Sequence, residues 1–138
     1  MPALFPSWFA NGAGEAFVAG KELQGILEDL LIRVAGSRGA ILVDGDGVAI
    51  AQASRGALPL LEALGPACTM LLRETAAAAE RLGQGSVTDV LFEAERATVA
   101  LIPLKTSCTL CLVFAPDAIA GQSVFEARRA AFALDQAL

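Results

Sequence analysis

The chain contains no histidine, and this absence limits the chemistry that it can perform. Histidine is the side chain that most often acts as a general base near neutral pH, so a Ser-His-Asp triad and a histidine metal ligand are excluded. Carboxylates occur as neighbours at Glu28 with Asp29 and at Glu93 with Glu95, but nothing in the sequence marks one of them as a buried catalytic acid. We expect these groups to be solvated, and we predict that the protein is not an enzyme.

The three cysteines include one pair, Cys108 and Cys111, with the spacing of a metal or redox motif. The pair lies in a run of strand-forming residues, where an offset of three directs two side chains to opposite faces. Cys68 lies on another element, so no second pair completes a four-ligand site. We therefore predict structural cysteines, with no metal and no disulfide. An odd number of cysteines also fits a reducing compartment such as the cytoplasm.

The segment Asp44–Gly47 imitates the start of a calcium-binding loop. Its sixth position is Ala49 instead of glycine and its twelfth is Arg55 instead of glutamate, so the segment is better interpreted as a turn. Gly12 and Gly14 lack the third glycine and the preceding strand of a dinucleotide-binding loop, and no Walker A motif occurs. We expect no cofactor.

Arginine can stabilise the charge of a phosphate group on a partner protein. Arg55, Arg73 and Arg96 are the candidates for such a donated group. Nothing in the sequence sets one of them apart, so the simpler interpretation is that each is solvated or ion-paired.

The composition describes one globular domain with a surplus of apolar residues. The 138 residues are 55% hydrophobic, which indicates a surface buried against another copy or another protein. The net charge of -5 argues against nucleic acid and anionic membranes as partners. Glu62, Pro59 and Pro66 interrupt the longest apolar stretches, so none reaches the roughly 20 residues that span a bilayer. The N-terminus lacks the features of a secretion signal, and we predict a cytoplasmic protein.

Two groups of strand-forming residues indicate one antiparallel sheet. Val87–Glu93, Ala97–Leu104 and Thr109–Phe114 predict a three-stranded meander. The third run is almost wholly apolar and is predicted to be central, whereas the first mixes polar and apolar residues and is predicted to lie at an edge. Gly39–Ser54 predicts a hairpin with its first strand inside the sheet and its second, Val48–Ala53, at the other edge.

Helical periodicity indicates three helices around this sheet. The first begins at Lys21, the second runs from about Pro66 to Leu82, and the third follows Pro116. Their apolar stripes are Leu23, Ile26, Leu27, Leu30, Leu31 and Val34; Cys68, Leu71, Leu72, Thr75, Ala79 and Leu82; and Ala120, Val124, Ala127, Ala131, Leu134 and Leu138. The third helix begins either near Asp117 or at a capping box formed by Ser123 and Glu126.

Residues 1–20 are predicted to form an N-terminal arm, and residues 21–138 the folded domain. Prolines and glycines interrupt the arm too often for one regular element. The arm is either a partly disordered terminus or an anchor, in which Trp8 and Phe9 dock on a groove of this protein or of a partner.

The order of elements resembles the Roadblock/dynein-light-chain family. The likeness rests on the VDGDGVAIA hairpin, the alanine-rich helix closed by Gly83, the VLFEAERATVALIPL hairpin and the FEARRAAFAL helix. It implies an α+β, profilin-like fold of order α-β-β-α-β-β-β-α, with a five-stranded antiparallel sheet, two helices on one face and one on the other. Among family members the chain is most similar to prokaryotic regulators of gliding and polarity GTPases.

The resemblance implies a non-enzymatic scaffold that forms a homodimer and binds a small Ras-like GTPase. The expected dimer pairs the strand Val87–Glu93 with its copy and packs the middle helices nearby. The expected dimer residues are Val87, Asp89, Val90, Leu91, Glu93 and Ala78. The outward face of the middle helix, with Met70, Arg73, Glu74 and Ala77, is the expected partner-binding surface.

Two alternatives stay open at this point. One is a sensory domain that holds a small ligand between sheet and helix, for which Thr98 and Thr109 are the available polar groups on the strands. The other is an adaptor in a cytoskeletal or motor complex.

Overall fold

The computed structural model describes the backbone of residues 13–56 and 61–138 and the side chains of this part from residue 20 onward. Residues 1–12, including Trp8 and Phe9 of the predicted arm, lie outside the described residues. The elements are α1 (Ala13–Arg33), β1 (Ser37–Val43), β2 (Ala49–Ser54), a short 3-10 turn (Leu61–Ala63), α2 (Leu64–Arg81), β3 (Val90–Glu93), β4 (Thr98–Pro103), β5 (Thr109–Phe114) and α3 (Ala120–Ala137).

The described strands form one antiparallel sheet in the order β2-β1-β5-β4-β3. The prediction that the most apolar run is central is confirmed, because every residue of β5 is buried. The predicted positions of β2 and β3 at opposite edges are confirmed too. A strand without a polar face is stable only when both of its faces are covered, and the helices provide this cover.

The helices lie on opposite faces of the sheet. Alternate residues of β1 and β5, such as Leu42 and Leu112, pack with α1 and α3 in the larger part of the core. Their neighbours Ile41, Cys111 and Val113 pack on the other face with Cys68 of α2. The predicted α+β architecture, with two helices on one face and one on the other, is therefore confirmed.

Two predicted boundaries are wrong, and one of the two alternatives for the start of α3 is excluded. Helix α1 begins at Ala13 instead of Lys21, because a glycine inside a helix costs only about 1 kcal/mol and does not by itself end it. Strand β3 begins at Val90 instead of Val87. The proposed capping box is absent, since α3 begins at Ala120 and the Ser123 hydroxyl donates to the carbonyl oxygen of Ile119 at 2.8 Å from inside the helix.

Helix α2 is positioned by its N-terminal end. Pro66 lies in its first turn, as predicted, where the missing N–H removes no hydrogen bond. Gly65 is buried against the backbone of Gly47 in the β1–β2 turn, and Gly47 has a φ of 84°. That turn is held by the Asp44 carboxylate, which accepts the backbone N–H groups of Asp46 and Val48 at 2.9 and 3.0 Å. The segment thus forms the predicted turn.

Candidate functional site

Helix α2 covers the sheet with only its first half. Its buried residues are Gly65, Cys68 and Thr69. From Met70 to Arg81 every residue is exposed or half-buried. The second half therefore presents three surfaces: an outer face, an apolar flank and the wall of a groove.

The outer face contains the residues predicted to bind a partner. Met70 is 66% exposed, Glu74 is exposed and Ala77 is half-buried. Their spacing places them along one side of the helix. Arg73 is exposed as well, but its guanidinium donates to the carbonyl oxygen of Gly45 at 2.8 Å. The structure thus brings Met70, Glu74 and Ala77 together and directs Arg73 toward the β1–β2 turn.

The apolar flank consists of Leu71, Ala78 and Leu82, at i, i+7 and i+11. All three are exposed, and Leu82 is 72% exposed. The prediction that Leu71 and Leu82 share the sheet-facing stripe is wrong, because α2 leaves the sheet surface after Thr69. These exposed leucines on one flank of the helix make the flank a candidate interface.

Strand β3 is the second candidate interface. One of its edges pairs with β4, and the described residues contain no strand on its other edge. Leu91 is 41% exposed, whereas Val90 and Phe92 pack against the core layer beneath α2. An edge that combines free backbone groups with apolar side chains is suited to pairing with another strand.

Two of the predicted dimer residues precede β3 and have neighbours within the chain. The Arg128 guanidinium on α3 donates to the carboxylate of Asp89, through Nε at 2.8 Å. Val87 is half-buried and lines the groove beside α2. Sequence spacing could not reveal the contact between Asp89 and Arg128, because 39 positions separate the two residues.

The candidate arginines differ in what they bind. The Arg55 guanidinium donates to the carbonyl oxygen of Leu31, and Arg73 is held by Gly45. Arg96 lies on the β3–β4 turn, where its carbonyl oxygen accepts the Arg38 guanidinium. Among the described residues, no hydrogen bond or ion pair engages the Arg96 guanidinium, so it is the arginine of the three that is available to a partner.

The cysteines are distributed as predicted, with one contact that the sequence did not predict. All three are buried and free, and Cys108 and Cys111 lie on opposite faces of the sheet. Cys68 of α2 and Cys111 of β5 lie in the same core layer. The neighbouring Cys68 thiol and burial raise the pKa of the Cys111 thiol. Buried thiols with a raised pKa are poor nucleophiles.

The groove lies between α2, the loop before β3 and the ends of β4 and β5, with a volume of about 830 Å³. It receives Thr69 from the helix and Thr109 from the sheet. Thr98, the other threonine considered from the sequence, is buried and does not line it. The groove is of the size that small-molecule sites have in proteins.

These features define an α+β domain with two uncovered surfaces, the exposed part of α2 and the open edge of β3. The described residues contain no cluster of metal-ligating side chains. The Roadblock/LC7 domain model matches residues 23–114, which is more than half of the chain. The chain therefore belongs to the Roadblock/LC7 domain family.

Solved structures agree with this assignment. The gliding protein MglB from Thermus thermophilus superimposes with a TM-score of 0.79 at 24% sequence identity, over 86% of this chain and 90% of that chain. An MglB with a tetrameric arrangement gives 0.80 at 25% identity, over 86% and 89%. Profilin II from Acanthamoeba castellanii gives 0.55 at 17% identity, over 83% and 97%, and the predicted profilin-like fold is confirmed.

No curated protein matches the chain. None of the helices in the described part of the chain has both the length and the apolar character that a bilayer crossing requires.

Proposed function

We propose that the protein is a non-enzymatic regulatory module that forms a homodimer, binds a small Ras-like GTPase and modulates its activity or location in the cytoplasm. The observation that carries the proposal is the exposure of α2 in a Roadblock/LC7 domain. This helix leaves its outer face and its apolar flank uncovered, although the core beneath its first half is complete. The similar structure of the gliding protein MglB supports a role related to gliding.

In the proposed homodimer, the open edge of β3 and the apolar flank of α2 form the contact between the two copies. Pairing of β3 with its copy gives partners to the free backbone groups and covers Leu91. Glu93 lies on the same exposed side of the strand as Leu91, and Val90 points to the opposite side. The same two-fold axis places the α2 helices near each other, where Ala78 permits a close approach and Leu71 and Leu82 are buried. The tetrameric arrangement of one similar MglB structure is consistent with self-association.

The GTPase is assigned to the outer face of α2. Met70 offers a flexible apolar side chain that adapts to a partner, and Glu74 adds charge beside it. Arg73 completes the surface, although its bond to Gly45 keeps it close to the β1–β2 turn. The dimer residues lie on the flank and on β3, so both partners can bind at once.

Any effect on GTP hydrolysis comes from repositioning groups that the GTPase already has. The chain has no histidine and no Walker A motif. Arg55 and Arg73 are engaged by carbonyl groups of their own chain. A partner that binds one conformation of a GTPase more tightly shifts its population toward that conformation.

The test is capture of the partner on the purified chain. Lysate of the source cells, supplied with either a non-hydrolysable GTP analogue or GDP, is passed over the immobilised protein and the bound proteins are identified by mass spectrometry. We expect a Ras-like GTPase, enriched in one nucleotide state and lost with Met70→Glu. The matched control is Ile32→Glu, which places the same charge on the exposed side of α1. Equal recovery of the GTPase on both variants, or no GTPase, would contradict the proposal.

A further inference from the structure

Thr69, a residue that lines the groove beside α2, has a hydroxyl without a hydrogen-bond partner among the described residues. Thr69 is only 9% exposed, and its Oγ1 atom is buried with no hydrogen-bond partner among the described residues. A threonine hydroxyl inside a helix often donates to the carbonyl oxygen four residues earlier. Thr75 on the same helix does so, with its hydroxyl 2.7 Å from the carbonyl oxygen of Leu71. A buried hydroxyl without a partner costs about 1–3 kcal/mol. A ligand atom in the groove would remove this cost.

A cation lies one helical turn from that hydroxyl. Arg73 is four residues from Thr69 and lines the same groove, so the two residues lie on the same side of the helix. The Arg73 guanidinium is bonded to a neutral carbonyl oxygen, and no carboxylate in the described part of the chain forms an ion pair with it. Its remaining N–H groups can bind a carboxylate while the bond to Gly45 persists.

The rest of the wall is mainly apolar. Its apolar contributions come from Leu72, Ala76, Val87, Pro103, Leu104 and Cys108. The carboxylate in the groove belongs to Glu80, which follows Arg73 by seven residues, or about 10 Å along the helix. The groove is thus polarised, with a hydroxyl and a cation at one end, an apolar middle and a negative charge at the other end.

We propose that this groove binds a small aliphatic monocarboxylate. The carboxylate accepts hydrogen bonds from the Thr69 hydroxyl and the Arg73 guanidinium, and the alkyl chain lies along Leu72, Ala76 and Leu104. Glu80 sets the orientation, because it repels an anionic group at the far end. The inference goes beyond the proposed function: the groove requires neither a dimer nor a GTPase, and Arg73 is the one residue that it shares with the surface proposed for the GTPase.

Octanoate is the probe for this site, and calorimetric titration of the purified full chain is the measurement. We expect saturable binding of one octanoate per chain. Octan-1-ol retains the alkyl chain and lacks the charge, octylammonium reverses the charge, and acetate lacks the chain. Each is expected to bind about tenfold more weakly or worse, because each loses either the charge-assisted hydrogen bonds or the apolar contact.

Variants with matched controls test which side chains of the groove contact octanoate. Thr69→Val keeps the shape and removes the hydroxyl, and we expect it to weaken octanoate binding about tenfold. Thr75→Val makes the same change outside the groove and is expected to bind normally. Arg73→Gln removes the charge, with Arg81→Gln as the control on the same helix. Ala76→Phe fills the middle of the groove and is expected to abolish binding while the chain remains folded.

Four results would overturn the proposal. No saturable binding of octanoate would show that the groove is only a hydrated cleft. Equal affinities for octanoate and octan-1-ol, or normal binding by both Thr69→Val and Arg73→Gln, would show that the head group is not recognised there. Binding confined to a monomeric variant such as Leu91→Glu would assign the groove to the contact between two copies.

Discussion

A Cβ atom added to Gly65 would lie 2.1 Å from the carbonyl oxygen of Gly47. The first turn of α2 and the β1–β2 turn therefore meet backbone to backbone, and no larger residue fits between them. This contact fixes the start of α2 on the sheet, while the second half of the helix remains exposed. It explains how one helix can be anchored firmly and still present most of its surface.

We expect Gly65→Ala to lower the free energy of unfolding by roughly 2–3 kcal/mol, because the backbone of Gly47 has to move to admit the new methyl group. Urea unfolding of the purified variant measures this change. Gly25→Ala is the control, since a Cβ at Gly25 meets nothing within 4 Å, and this variant should gain about 0.5–1 kcal/mol. Equal effects of the two substitutions would show that the contact between Gly65 and Gly47 is not tight.

The dimer prediction is tested at the centre of the β3 edge. We expect Leu91→Glu to convert the dimer to a monomer, because pairing of β3 with its copy would bury two like charges. Light scattering on a size-exclusion column gives the mass. Ile32→Glu, at an equally apolar and 76% exposed position on α1, should remain dimeric. A monomeric wild-type protein at micromolar concentration would refute the homodimer.

Substitution of Arg96 tests whether the protein supplies an arginine side chain to the phosphate groups bound by its partner. The repositioning mechanism predicts that Arg96→Ala changes GTP hydrolysis only as far as it weakens binding, so hydrolysis at saturating protein stays within about twofold of the wild-type rate. Single-turnover assays with the captured GTPase measure this rate. Arg55→Ala and Arg73→Ala should behave in the same way once the GTPase is saturated. Loss of stimulation by Arg96→Ala at unchanged affinity would instead establish a donated arginine.

The buried thiols predict a dependence of stability on alkaline pH. The neighbouring Cys68 thiol and burial raise the pKa of Cys111 from its ordinary value of 9.0, whereas the same interaction lowers the pKa of Cys68. As pH rises through 9, the unfolded chain loses this proton while the folded chain keeps it. The contribution of Cys111 to stability is therefore complete below pH 9 and decreases above it.

Urea unfolding over a series of pH values on both sides of 9 measures this effect. Cys111→Ala should be less stable below pH 9, because it leaves a cavity, and it should lack the alkaline decrease that Cys111 causes. Thiol labelling of the folded wild-type protein should be slow for all three buried cysteines. Identical alkaline slopes in the two proteins would show that Cys111 titrates normally.

Local patterns in the sequence determined the elements and their layers. The alternation along β1 and β5 sends neighbouring side chains to opposite faces, and strands apolar on both faces require helices on both sides. The central place of Thr109–Phe114 and the edge place of β3 follow from this requirement. The opposite orientations of Cys108 and Cys111 follow from the same two-residue period. These features depend on burial and spacing alone, which a sequence records directly.

Only the tertiary structure shows which residues of α2 are buried and which remain exposed. Helical spacing shows which residues share a face, but it does not give the angle at which a helix crosses a sheet. That angle exposes Leu71 and Leu82, brings Cys68 to Cys111, and opens the groove that leaves the Thr69 hydroxyl without a partner among the described residues. It arises from contacts between residues distant in the chain, above all Gly65 with Gly47, and such contacts leave no periodic signal in the sequence.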